Sequence, residues 1–130
     1  MSYRCFGALA VCGVLLAGVP VIAHHALQAQ YDFEKPFEFE GVLVKMEYVN
    51  PHSMMHLEVT AADGSKTVWI FQMEAAGNLR RRGLARELKV GDTYAATGFA
   101  ARNGKSMGFL KTLKMPDGRM LTMWFGDPNG

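Results

Sequence analysis

Four histidines, His24, His25, His52 and His56, are the residues best suited to do chemistry in this sequence, and the chemistry is metal binding. An amino-terminal histidine chelates a metal through its α-amine and its ring nitrogen. His24 becomes such a terminus if the chain is cut after Ala23. The α-amine has an ordinary pKa of about 7.7–8.0, so a metal displaces its proton near neutral pH. A second imidazole completes a three-nitrogen set, which suits Cu(II) best among the divalent ions. The other cluster is His52-Ser53-Met54-Met55-His56. On an extended strand His52, Met54 and His56 point to one face. His52 and His56 then stand ~13 Å apart, too far to share an ion, whereas neighbours two apart stand ~6.6 Å apart. His52 with Met54, or Met54 with His56, makes a soft imidazole–thioether pair that favours Cu(I). One arrangement unites the clusters: the segment after His24 folds back so that His24 or His25 meets His52. A chain reaching up to ~3.3 Å per residue has ample length for it. The competing readings are structural. His24 and His25 are then a solvated start, His52 closes the turn after Asn50-Pro51, and Met54 and His56 cover a half-exposed sheet face.

Other constellations are weaker. Arg80, Arg81, Arg82 and Arg86 form a basic run that suits an anionic partner, such as a lipid headgroup or an acidic protein. The ordinary reading is a solvated helix face. Trp69 lies in a run apolar on both faces and reads as core. Trp124 is opposite in phase to Leu121, Met123 and Phe125, which exposes it and makes it the candidate for stacking on a ligand. No nucleophile motif surrounds Ser53, Ser65 or Ser106, and Glu38 and Glu40 alternate with phenylalanines as a solvated strand face does. The sequence is not that of an enzyme. A formal net charge of +2 is too small to argue for nucleic acid.

The elements that would position these residues are short and mostly β. Phe37 to Val49 alternates, and its apolar phase flips after Gly41 from Phe37 and Phe39 to Val42, Val44, Met46 and Tyr48. A strand has period two, so the flip predicts a β-bulge and a bend. Ser53 to Ala61 alternates as well, and Asp63-Gly64 then marks a hairpin. Lys66 to Met73 holds Val68, Trp69, Ile70 and Phe71, which predicts a central buried strand. Ala75 to Arg82 is the one short helix, with Gly83 just past its end. Thr93 to Ala100, Ser106 to Met115 and Met120 to Phe125 follow as strands, separated by turns at Asn103-Gly104 and Pro116-Asp117-Gly118. Three strands, a helix and two or three more strands is the order of a small OB-like barrel of five to six strands; a β-sandwich is the alternative.

Residues 1–23 read as a signal peptide: Arg4, an apolar run from Phe6 to Val19, Pro20, and Val21-Ile22-Ala23 as the cleavage site. The run is short of the ~20 residues that a membrane span needs, although an uncleaved anchor is the rival reading. Val11 before Cys12 does not suit lipidation. Cys5 and Cys12 both fall in the signal, so the mature domain has no cysteine and must hold itself by its core. The expected organisation is an arm over 24–36, the barrel over 37–126 and a loose tail over 127–130.

Several segments resemble one family when taken in order. They are Ala23-His24-His25, Glu47-Tyr48-Val49-Asn50-Pro51-His52, Leu79-Arg80-Arg81-Arg82-Gly83, Val90-Gly91-Asp92 and Pro116-Asp117-Gly118-Arg119. Over nearly the whole mature chain they resemble the exported bacterial family designated domain of unknown function 6152. The resemblance implies export and a compact β domain, and it supplies no activity. The family pattern continues the paired histidines with a serine and an aromatic, where this chain has Ala26 and Leu27. The expectation is therefore a periplasmic or secreted β-barrel without a stable membrane span. It binds copper through His24, His25, His52, Met54 and His56 as a carrier or accessory protein. The alternative is a metal-free module for a glycan, a lipid or an envelope protein, using Trp124 or the arginine helix.

Overall fold

Strand-forming residues with period-two burial build six strands in this computed structural model, which describes residues 27–124. They are β1 (Tyr31–Glu47), β2 (Met54–Thr60), β3 (Lys66–Gln72), β4 (Thr93–Ala101), β5 (Met107–Lys114) and β6 (Met120–Thr122). Two short helices, α1 (Ala76–Arg81) and α2 (Leu84–Glu87), lie between β3 and β4. The expected signal peptide, the paired histidines His24 and His25, and the tail over 127–130 lie outside the described residues.

The strands form one sheet in the order β3-β2-β1-β4-β5-β6. A further parallel pairing of Ile70, Phe71 and Gln72 in β3 with Met107, Gly108 and Phe109 in β5 closes β1 to β5 into a ring. All other pairings are antiparallel. This is the OB-like barrel that the element order predicts. β6 continues along the side of β5 that β3 leaves, pairing with Thr112 to Lys114. Leu43, Met55, Leu57, Phe71, Tyr94, Ala96, Leu110 and Leu113 fill the interior, and Leu79 and Leu84 join them from the helices. Removing each larger apolar side chain from water contributes roughly 1.5–3 kcal/mol. No helix among the described residues is long and apolar enough to cross a membrane.

Four expectations are corrected. First, β1 begins at Tyr31, so residues 31–36 of the expected arm belong to the sheet, pairing Tyr31 with Ala101 and Asp32 with Ala100. The ladder shifts register between Asp32 and Pro36, where a residue without an N–H is tolerated. Second, the phase of β1 does not flip at Gly41. Phe37, Phe39 and Leu43 stay with the core, whereas Val42 and Val44 are 38% and 39% exposed. The shift comes between Leu43 and Lys45, after which Met46 and Tyr48 pack against the core. Valines suit a strand on either face, so their spacing misleads. Third, β3 is not central along its length. Its β5 partner reaches only its last three residues, and Val68 is 43% exposed. Fourth, the single helix is two. Gly83 sits at φ 77°, a left-handed conformation that ends α1, and its N–H donates to the Arg80 carbonyl. The chain then turns once more through α2.

Candidate functional site

The segment between β1 and β2 is held by hydrogen bonds that leave His52 outward. The Asn50–Pro51 peptide is cis. Ser53 is fully buried; its N–H donates to the Glu74 carbonyl at 3.2 Å and its hydroxyl to the Val49 carbonyl at 3.3 Å. The N–H of Met73 donates to the Ser53 carbonyl at 2.9 Å, and that of Ala76 to the Val49 carbonyl at 3.1 Å. The Tyr48 hydroxyl reaches the Ala85 carbonyl at 3.3 Å. His52 therefore stands on a fixed backbone, exposed, with no hydrogen bond to its ring among the described residues. It borders a groove of about 310 Å³ whose other walls include Leu27, Met73, Glu74, Met123 and Trp124. The Glu74 carboxylate pairs with Arg82, whose guanidinium also donates to the Thr122 carbonyl at 3.0 Å. One arginine thus ties the wall at Glu74 to the end of β6.

An aromatic cluster from β1, β4 and β5 adjoins the groove, and Leu27, Phe109 and Trp124 belong to both. Tyr31, Phe99 and Phe109 are buried there, with Leu27, Phe33 and Trp124 packed against them. The Trp124 indole stacks on Phe33 at 5.6 Å with an interplanar angle of 4°. It meets Phe99 and Phe109 edge-on, at 6.1 and 5.4 Å. Trp124, expected to be exposed from its phase, is partly buried, because Phe33, Phe99 and Phe109 pack against it just beyond the end of β6 at Thr122. The Tyr31 hydroxyl donates to Oε1 of buried Gln72 at 2.7 Å, and burial raises the phenol above its usual pKa. Segments near both ends of the described chain therefore meet beside His52.

The other candidates lie elsewhere. Met54 opens β2 opposite Glu47 and Gln72 and is not among the groove walls. His56 lies across from Lys45, and its Nε2 is 2.7 Å from the Glu47 carboxylate, which Lys45 also contacts at 2.9 Å. The hydrogen bond from Lys45, and next that from His56, hold the Glu47 carboxyl below its usual range. The structure thus separates the two halves of the His52–His56 cluster. Among the described residues no three His, Cys, Asp or Glu side chains converge as a metal site. The arginines of the run are all exposed and have different partners. Arg82 is neutralised by Glu74 and Arg81 bonds the Asn78 side chain.

Residue reading alone missed Met73, Glu74 and Met123 at this groove. Positions 52 and 73 are joined by the β2–β3 hairpin, whose ladder runs on to Ser53 and Met73, whereas Met123 comes there only because ring closure sets β5, and β6 beside it, against β3. A family model described as a family of unknown function, DUF6152, matches residues 11–111. No curated protein matches the chain.

Proposed function

The chain belongs to that family of unknown function, and from this premise we propose that it is an exported copper-binding protein, a carrier or accessory, that works from the groove at His52. The observation that carries the proposal is that Leu27 and His52 border the same groove. Leu27 follows His25 by two residues and His24 by three. At up to ~3.6 Å per residue, the α-carbon of His25 lies within ~7 Å of that of Leu27. Cleavage after Ala23 would add the α-amine of His24 to the available nitrogens. The proposed nitrogen set is His52 with His24 or His25. His56, held by Glu47, takes no part. The role assigned is binding and not catalysis.

The test uses protein recovered from the periplasm. Intact mass gives its first residue, and titration with copper against a chelator gives its affinity. His52→Ala is expected to weaken binding at least about tenfold, as loss of even a supporting group does at a metal site. His56→Ala is expected to leave binding unchanged. Equal affinity in the wild type and His52→Ala refutes the proposal. The second reading is then a metal-free module, which the apolar walls Leu27, Leu110 and Phe109 favour for a lipid-like ligand in the same groove.

A further inference from the structure

Two methionines border this groove in addition to His52, and they are neither of the methionines in the sequence cluster. Met73 is 2% and Met123 is 5% exposed, so both belong to the barrel core and show part of their surface to the groove. Their backbones are fixed. The Met73 N–H donates to the Ser53 carbonyl at 2.9 Å, which sets Met73 beside the residue that follows His52. The Met123 N–H donates to the Lys111 carbonyl at 2.8 Å, and Arg82 holds the neighbouring Thr122 carbonyl. Thioethers are neutral, soft and polarisable, and with an imidazole they select Cu(I) over harder ions. A monovalent ion also loses less hydration than a divalent one on entering walls as apolar as Leu27 and Leu110. The indole of Trp124 borders the same space.

We infer that the groove holds copper as Cu(I), bound by the thioethers of Met73 and Met123 together with the imidazole of His52. This rests on the copper reading above and adds the oxidation state and the sulfur ligands. Met54, outside the groove, contributes nothing.

The experiment delivers Cu(I) as its bicinchoninate complex, without oxygen, to the exported protein. The proteins compared are the wild type, Met54→Leu, and the Met73→Leu, Met123→Leu double variant. Leucine keeps the volume, so the core is largely preserved. The double variant is expected to lose at least about tenfold in Cu(I) affinity, and Met54→Leu to match the wild type. A second measurement needs no variant in the groove: the ε-methyl carbon resonances of Met73 and Met123 are expected to shift on adding Cu(I), while that of Met54 stays. Unmoved resonances of Met73 and Met123, or a folded double variant binding Cu(I) as tightly as the wild type, overturn the inference and leave the copper reading standing. A wild type that takes neither Cu(I) nor Cu(II) overturns both.

Discussion

Replacing Gly98 or Gly108 by alanine tests whether the barrel closes as tightly as its geometry requires. A β-carbon on Gly98 would stand 1.8 Å from the Phe109 carbonyl oxygen and 2.9 Å from its carbon. Weak C–H···O contacts in sheets need about 3.3–3.6 Å, so β4 and β5 would have to part by more than ~1 Å. The obstacle is backbone, at the register shift between Thr97 and Gly98, and no side-chain rotation relieves it. Over-packing costs typically ~1–3 kcal/mol, and this site belongs at or above the upper end. For a domain of about a hundred residues each kcal/mol lowers Tm by roughly 4–8 °C, so Gly98→Ala is expected to lower it by ~12 °C or more. Gly108 differs. Its β-carbon would meet Cε1 and Cζ of Phe37 at 2.5 and 2.8 Å and Phe71 Cδ1 at 3.1 Å. The Phe37 ring is half-buried and can turn, which limits the cost to about 1–2 kcal/mol. Phe37→Leu deletes the two clashing atoms. In that background Gly108→Ala is expected to become nearly neutral, a coupling of about 1 kcal/mol, while Gly98→Ala stays damaging. The assay is thermal and urea denaturation of the three single variants and the two doubles. Additivity of Phe37→Leu and Gly108→Ala to within ~0.3 kcal/mol refutes the steric argument. A Gly98→Ala protein as stable as the wild type refutes the β4–β5 packing itself.

Tyr31→Phe leaves the buried Gln72 amide without its donor, which costs about 1–3 kcal/mol. It is also expected to speed proteolysis of the segment before β1, and equal stability of the two proteins would count against that anchor. Leu57→Ala empties a fully buried position and is expected to cost about 2–5 kcal/mol in urea denaturation. Glu47 has its carboxyl held below its ordinary 4.5 by Lys45 and His56, so its charge favours the folded state above that pH. That contribution is lost as pH falls through the lowered value. Glu47→Gln is therefore expected to flatten the acid limb of the stability profile, and an unchanged acid limb would show that the ion pairs contribute nothing.

Much of the architecture was legible because its signals are local. Asp63-Gly64 and Asn103-Gly104 are turns, and Gly64 and Gly104 have the positive φ that such turns need. Gly83 ends a helix, and alternation along 54–60 gives β2 its buried Met55 and Leu57. The order of these elements was enough to suggest a closed OB-like ring, and β1–β4 and β3–β5 pairing closes it. Where the inner face of β1 lies was less legible. Exposed Val42 and Val44 outvoted the single buried Leu43, and only the pairing with β2 and β4 distinguishes them. The half-exposed edge of β3 was hidden for a like reason. An apolar run does not say how many of its residues find a neighbour, and here β5 meets three.

The candidate site divides along the same line. Its residue types were readable: a histidine after Asn50-Pro51, softer methionines nearby, and a tryptophan close to the end of the chain. The sequence by itself determined a turn that presents His52 and strands with the right alternation. Only the tertiary structure decided which sulfurs stand with it. It set His56 against Glu47, stacked Trp124 on Phe33, and brought Met73 and Met123 to the groove. The physical reason is range. Strand alternation and turn chemistry act over a few residues, whereas a groove wall is made by ring closure between strands such as β3 and β5, whose paired residues Ile70 and Met107 are far apart in the chain.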